Sequence, residues 1–540
     1  MDRTAFTPKL VTALREGYGL AQLRADVIAG ITVAVVALPL AMALGIASGA
    51  SPREGLVTAV VAGFLISALG GSRVQVGGPT GAFVVVVATV IAKHGFSGLV
   101  LATLMAGVML VIAGYAGVGR MMRFVPMPVI TGFTAGIAVI IASSQVGDFL
   151  GLSAGQVPAE FVEKWLAYIH AIRTVNWPSL GLGVAVLGLV LAVRRLWPRA
   201  PAYLIAIGAS GAAVALLGIP VETVGDRFLQ MPTGLPWPKL PGVSIGLARE
   251  VLPSAFVIAF LAGLEALLSA VVADGMTGRR HRSGQELVGV GIANIASAAF
   301  GGLPATGAIA RTATNIRAGA VSPIAGIVHA LVLLIFMVAA GRLIALVPMP
   351  ALAAILLMVA WGMSEVDRFA SLMRSDLGER GVLVLTFLLT LFVDLPTAIG
   401  VGVTLAALLF MRRMSEHAGM VAIEAEEEPG LRERLPPGVE VLRLTGPIFF
   451  GVASEMLEAL RRAGQRPRAI ILRMEQVPYV DSTGAAALAT FVRQAKRNGT
   501  EVWLCGLKRA PLEFLAKADP PYAGALRALT WEGALKRLGG

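Results

Sequence analysis

Between residues 27 and 411 the chain is a succession of apolar blocks, each broken from the next by a few polar, glycine or proline residues. Hydrocarbon offers no water to satisfy backbone amides, so blocks of this kind must fold as helices that close their hydrogen bonds internally. That requirement removes most folds from consideration. Composition agrees with it: 14% of the residues are charged, where a soluble domain carries about 25%. The shortage of charge ends at residue 412, after which the chain reads as ordinary soluble protein. The sequence therefore predicts a cytoplasmic N-terminal segment over 1–26, a transmembrane domain over 27–411, a linker over 412–438 and a small soluble domain over 439–540.

Fourteen apolar segments are legible by window length. The first seven lie near 28–47, 55–70, 78–92, 98–117, 126–147, 179–196 and 202–219. The second seven lie near 252–273, 285–300, 304–317, 323–340, 344–361, 380–393 and 396–411. The third and the tenth are short and open on glycine and proline, at Gly77-Gly78-Pro79-Thr80 and Gly301-Gly302-Leu303-Pro304. Interrupted segments at matching places in two halves point to broken helices around a site near the bilayer midplane. A second correspondence gives the register. Gly119-Arg120 precedes Val125-Pro126-Met127-Pro128, and Gly341-Arg342 precedes Val347-Pro348-Met349-Pro350 at the same spacing. Seven spans separate the two groups, so the halves must lie in the membrane with opposite topology. Proline is welcome in any first helical turn, but chance does not readily place Gly-Arg in register as well.

Basic residues in short connections set the orientation. Arg73, Arg120, Arg123, Arg194, Arg195, Arg199, Arg279, Arg280, Arg282 and Arg317 fall on one side, with Arg368, Arg374 and Arg380, which places both termini in the cytoplasm. No secretory signal precedes the first span. The net charge of +12 is scattered between apolar spans, which suits loops against an anionic leaflet and not a nucleic-acid partner. Cys505 is the sole cysteine, so no internal disulfide forms.

Ionisable groups inside spans are costly and need a reason. Glu265 stands within the eighth segment, and Arg311 reads as two turns into the tenth. One account is a buried ion pair that fixes two helices. The other is a proton-coupling carboxylate beside a substrate-attracting cation, and the second carries more weight because intramembrane charge is functional by default. Half-helices starting at Pro79 and near Pro304 would aim unpaired N–H groups at a common point. Gly78 would let backbone approach a ligand, Thr80 and Thr306 would add hydroxyls, and Arg311 would supply a planar fork for an oxyanion. A proton on Glu265 would offset the ligand's charge. Gln145, Asn294 and Asn315 read as interhelical hydrogen-bonding residues, and Asp394 with Pro396 as a turn. No nucleophile–base pair or metal-ligand cluster stands out, so the sequence points to no enzyme, cofactor or metal.

Beyond residue 438 the hydrophobic period changes. Val439–Leu444, Ala469–Met474 and Glu501–Cys505 read as strands, with helices near 452–463 and 484–497, the pattern of a small α/β fold. Asp481-Ser482-Thr483-Gly484 is a helix-start signal.

These residues together resemble the SulP anion transporters, the sulfate permease or solute carrier 26 group. The resemblance rests on Ala29-Gly30-Ile31-Thr32-Val33 with Pro39, on Gly71-Ser72-Arg73 leading to Gly78-Pro79-Thr80, on Val272-Ala273-Asp274-Gly275-Met276, and on Ala310-Arg311-Thr312-Ala313 with Ala318-Gly319-Ala320. The tail resembles a STAS domain, whose loop matches Asp481 to Gly484. The resemblance implies a core of spans 1–4 and 8–11 moving against a gate of spans 5–7 and 12–14, within a homodimer in a bacterial-type inner membrane. It implies a substrate between the starts of spans 3 and 10, with Gly78, Pro79, Thr80, Thr306, Ala310, Arg311 and Leu40 around it, Glu265 as coupling group, and phosphorylation at Ser482. Sulfate-type members carry glutamine where this chain has Leu40, which argues against sulfate. Leu40, Gly78-Pro79-Thr80 and Ala308-Ile309-Ala310-Arg311 look most similar to bacterial members moving C4-dicarboxylates with protons. Sulfate or bicarbonate, the latter with sodium, are the alternative cargoes, and an anion-responsive sensor or motor acting through the STAS domain is the alternative of another class.

Overall fold

The computed structural model describes residues 6–120, 126–155, 157–158, 160–198, 200–228, 234–239, 244–339, 341–393, 395–416, 419–422, 435–449, 467–517, 525–528 and 530–538. The chain divides into two compact units, residues 1–403 and 404–540.

The first unit is helical. Its principal helices are α1 (Leu20–Ala47), α2 (Pro52–Leu69), α3 (Val84–Tyr115), α4 (Met127–Leu150), α5 (Trp177–Leu196), α6 (Ala202–Leu217), α7 (Ile245–Thr277), α8 (Ser283–Ala299), α9 (Ile309–Arg317), α10 (Ile324–Ala339), α11 (Met349–Met363), α12 (Leu377–Phe392) and α13 (Leu395–Glu416), the last continuing past the division. Two strands of two residues, β1 (Gly77–Gly78) and β2 (Thr306–Gly307), interrupt them. Each of the fourteen apolar segments meets a helix. The third and fourth segments share α3, which breaks at Gly95, a residue at φ 68° where only glycine enters cheaply. Among the described residues, eight helices are long and apolar enough to cross a membrane.

Local chemistry explains several starts. Ser51 accepts from the Arg53 amide while Glu54 reaches back to the Ser51 amide at 2.7 Å, and Pro52 occupies the first turn of α2. The repeat is visible in backbone angles. Pro126 precedes α4 at φ −67°, ψ 141°, and Pro348 precedes α11 at φ −73°, ψ 139°. Val125 of the first motif lies outside the described residues, as do Arg123 and Asp394.

Packing separates two groups of helices. α3 lies against α7 and α8, and α10 against α1 and α2, whereas α4 packs on α11 and α12, and α5 on α11 and α6. These are the groups expected as core and gate.

In the second unit, β3 (Gly419–Ala422), β4 (Val439–Thr445), β5 (Ala469–Gln476), β6 (Glu501–Cys505) and β7 (Leu526–Ala528) form one sheet in that order, parallel except for β3 on β4. β3 falls where the sequence predicts only a charged linker. α14 (Ser482–Arg497) buries Ala485, Leu488, Ala489 and Val492 as expected, and α15 (Arg509–Lys517) and α16 (Trp531–Leu538) follow. Asp481 caps α14 by accepting from the Gly484 amide at 2.7 Å, and Ser482 is exposed on its first turn. The predicted helix at 452–463 lies outside the described residues.

Candidate functional site

Two chain segments far apart in sequence cross inside the first unit. β1 and β2 pair antiparallel, Gly77 opposite Gly307 and Gly78 opposite Thr306. The pairing is extended by the Ala308 amide, which donates to the Val76 carbonyl at 3.0 Å, and by the Val76 amide, which donates to Thr312 Oγ1 at 3.1 Å. Glu286, fully buried on α8, accepts from the Gly71 and Ser72 amides and from Gln75 Nε2 at 2.7, 2.8 and 2.7 Å, fixing the loop that leads into β1. Asn294 holds Ala305 through both its amide and its carbonyl, and Asn315 donates to the Val74 carbonyl. These two do tie separate segments together, whereas Gln145 bonds to its chain neighbour Ser144.

Neither half-helix starts at its proline, and on the second arm the pairing is the reason. A short 3-10 turn at Gly81–Phe83 precedes α3, and α9 starts at Ile309, five residues beyond Pro304. Residues 77–78 and 306–307 are spent on strand pairing, so helix can begin only after them. Arg311 is accordingly the third residue of α9 and not two turns into it. Its position is in the first turn of α9, whose amides have no partner within the helix.

Arg311 is 3% exposed, donates through Nη2 to the Pro79 carbonyl at 3.1 Å, and leaves Nε and Nη1 without a partner. Its guanidinium lies over Gly78, which sits at φ 151°, and a Cβ there would strike Nη1. Thr80 is extended and donates to Glu265 Oε2 at 2.9 Å. Glu265 and Arg311 form no ion pair with each other; both are engaged by the first arm, Glu265 by Thr80 and Arg311 by the Pro79 carbonyl. The account in which they merely lock two helices therefore fails.

These groups face a cavity of about 470 Å³. Leu40, Pro79, Thr80, Glu265, Ala310 and Arg311 line it, together with Val33, Val36, Leu44, Gly81, Ala308, Ile309 and Thr314. Gly78 and Thr306 do not. Thr306 is fully buried and donates to the Ala262 carbonyl at 2.6 Å, so its hydroxyl serves the frame. The opposite wall comes from α4, α5, α6 and the end of α11, through Thr134, Arg194, Tyr203, Met358, Met363 and Glu365. By its sequence position Arg194 is a loop anchor, and Tyr203 and Glu365 carry no signal that marks them for a site. Glu365 is the one described non-glycine residue in the left-handed region, at φ 42° and ψ 48°.

The sequence pattern of the sulfate permease family matches residues 23–388, and that of the STAS domain residues 432–519. YvdB of Bacillus subtilis, a protein whose name assigns it provisionally to sulfate transport, is 41% identical over 93% of this chain and 95% of its own length. The bicarbonate transporter BicA of Picosynechococcus is 31% identical over 90% of this chain and 88% of its own. The murine solute carrier 26 family member A9 anion transporter, solved in an inward-facing state, superposes with a TM-score of 0.87 over all of this chain and 95% of its own, at 17% identity. None of these carries a dicarboxylate in its name. The nearest likeness expected from Leu40 and its neighbours, to dicarboxylate carriers, is therefore replaced by a likeness to proteins named for sulfate and bicarbonate.

Proposed function

Because the chain belongs to the sulfate permease family of anion transporters and carries a STAS domain, we propose that it is a secondary carrier coupling a small carboxylate anion to protons, with C4-dicarboxylates such as succinate and fumarate as the first cargo. The observation that supports this most is Arg311: buried at the cavity wall, with two guanidinium positions unpaired, and carried on the first turn of α9. A planar fork and converging N–H groups fit a carboxylate. The walls beside it are apolar, formed by Val33, Val36, Leu40 and Leu44, and they suit a hydrocarbon body better than the oxygen-covered surface of sulfate, which needs donors on every side.

Glu265 is assigned the proton. An ionised carboxylate among these groups repels the incoming anion, and a protonated one does not. Thr80 holds the carboxyl whichever state it is in, since its hydroxyl can donate or accept. The core bundle carries Glu265 and Arg311 while the facing wall belongs to the other bundle, an arrangement that suits movement of one against the other. The positive-inside distribution supports a cytoplasmic position for both termini.

Bicarbonate and sulfate remain a second reading because of the names of the relatives above. One experiment separates the cargoes: uptake of succinate, fumarate, bicarbonate and sulfate into proteoliposomes under an inward proton gradient, with a sodium gradient run in parallel. Dicarboxylate accumulation driven by protons is expected. Accumulation of bicarbonate or sulfate alone replaces the cargo, and dependence on sodium replaces the coupling ion.

A further inference from the structure

Four charged side chains line the cavity among the described residues: Arg311 and Glu265 on the wall of the crossing arms, Arg194 and Glu365 on the facing wall. Arg194 is the third residue from the end of α5, where a basic side chain ordinarily complements the helix dipole and reaches out to water. Here it stays exposed to solvent but leans on Tyr203 and lines the cavity. Its Nη2 donates to the Tyr203 hydroxyl, and its guanidinium carbon lies 4.8 Å from the centre of the Tyr203 ring. Tyr203 is 9% exposed, at the second position of α6. Tyr203, on the neighbouring helix, thus contacts this cation at the edge of the cavity.

The charges around the cavity sum in an informative way. Glu365 is answered by Arg368, 2.6 Å away and outside the cavity lining. With a proton on Glu265, as proposed above, the remaining lining charges are Arg311 and Arg194, one on each wall. A cavity in that state is neutralised by a dianion, and most directly by one whose two charges are separated. Sulfate is a dianion but compact, and bicarbonate carries one charge.

We propose that Arg194, oriented by Tyr203, is a second anion-binding cation that receives the far carboxylate of a dicarboxylate whose near carboxylate sits on Arg311. The inference rests on the carboxylate reading of the Arg311 site and sharpens it into a preference for two-headed anions. It also assigns Tyr203 as a positioning residue, which touches the arginine and not the cargo.

The test is a comparison of ligands across variants of the full chain in liposomes, reading apparent affinity for malonate, succinate, fumarate, bicarbonate and sulfate. Arg194→Gln is expected to weaken succinate and fumarate about fivefold, the upper size for a partly exposed charge contact, and to leave bicarbonate and sulfate within about twofold. Arg195→Gln removes the same charge one residue away, at a position outside the cavity lining, and is expected to change nothing; an equal effect from it would reduce Arg194 to a contribution to the general field. Tyr203→Phe keeps the ring but frees the guanidinium, with an expected loss of about threefold for the dicarboxylates alone. A uniform loss for all anions, or no loss for dicarboxylates that the wild type binds, overturns the proposal. A wild type that binds no dicarboxylate overturns the proposed cargo and this inference together, whereas an unchanged Arg194→Gln beside a dicarboxylate-binding wild type overturns the inference alone. Thermal unfolding of each variant guards against a general loss of structure.

Discussion

The two arms that meet at β1 and β2 occupy corresponding places in the two halves of the repeat, and they differ in what they carry. Elsewhere the halves agree closely: Pro126 and Pro348 introduce α4 and α11 with angles within a few degrees. At the crossing, the first arm ends in a 3-10 turn behind Thr80 and runs on into a long helix, while the second enters a nine-residue helix with a buried arginine in its first turn. The repeat supplies two helix starts aimed at one cavity, and its asymmetry supplies the charge. Symmetry builds the frame and departure from symmetry builds the site.

The sharpest way to break that comparison is to make the arms alike. Arg311→Ala removes the cation and leaves both arms with backbone amides and small side chains. A fall in transport efficiency of roughly 100-fold, about 3 kcal/mol, is expected, carried mainly by the apparent affinity for the anion. Thr80→Ala on the other arm should cost only a few-fold on the same measure. Equal losses from the two substitutions would mean that the arms share the anion evenly.

A smaller effect is expected where the arms touch. Gly78→Ala places a methyl against Arg311 Nη1 at a backbone angle that alanine rarely adopts. The guanidinium must then shift, and a loss of about tenfold follows if binding depends on its placement. On the other strand, Gly307→Ala meets the buried Gln75 side chain, which is tied to Glu286, and not the guanidinium, so a smaller loss in anion handling is expected. Flux assays on the pair read the difference; a greater loss at Gly307 would place the sensitive contact on Gln75 and the Glu286 loop.

Removing the charge from Glu265 tests coupling separately from binding. Glu265→Gln keeps the size and can still partner Thr80, so exchange of labelled anion across the membrane should stay within about threefold of the wild type. Accumulation driven by a pH gradient should disappear, because the glutamine carries no transferable proton. Exchange and accumulation lost together would show that the carboxylate is needed for anion binding itself.

Much of this was legible before any coordinates. Apolar blocks announce membrane helices because hydrocarbon permits so few alternatives, and Val-Pro-Met-Pro announces the repeat because proline sets its own backbone and that of its neighbour. Leu40, Pro79, Thr80, Glu265, Ala310 and Arg311 could be singled out from local signals alone: an expensive charge, a proline start, a family position. The remainder depends on partners distant in sequence. Helix α9 starts at Ile309 because Thr306 and Gly307 pair with β1, and β3 exists because β4 offers it an edge. Arg194 and Tyr203 look like an anchor and a helix start until α5 and α6 bring them to one wall.

Thr306 marks the limit of that local reading and gives the smallest expected effect. A threonine next to a glycine at the predicted helix start looks like a ligand hydroxyl, as Thr80 does on the first arm. Its hydroxyl instead donates to the Ala262 carbonyl of α7, one turn before Glu265, and so fastens β2 to the helix that carries Glu265. Thr306→Val keeps the shape and removes that bond. Loss of a buried neutral hydrogen bond costs about 1 kcal/mol, expected as a fall of about 2 °C in the unfolding midpoint. Apparent affinity for the anion should not change, since nothing at the cavity surface has been altered. A weakened affinity with an unchanged midpoint would return Thr306 to the site, and with it the symmetry of the two arms that the structure denies.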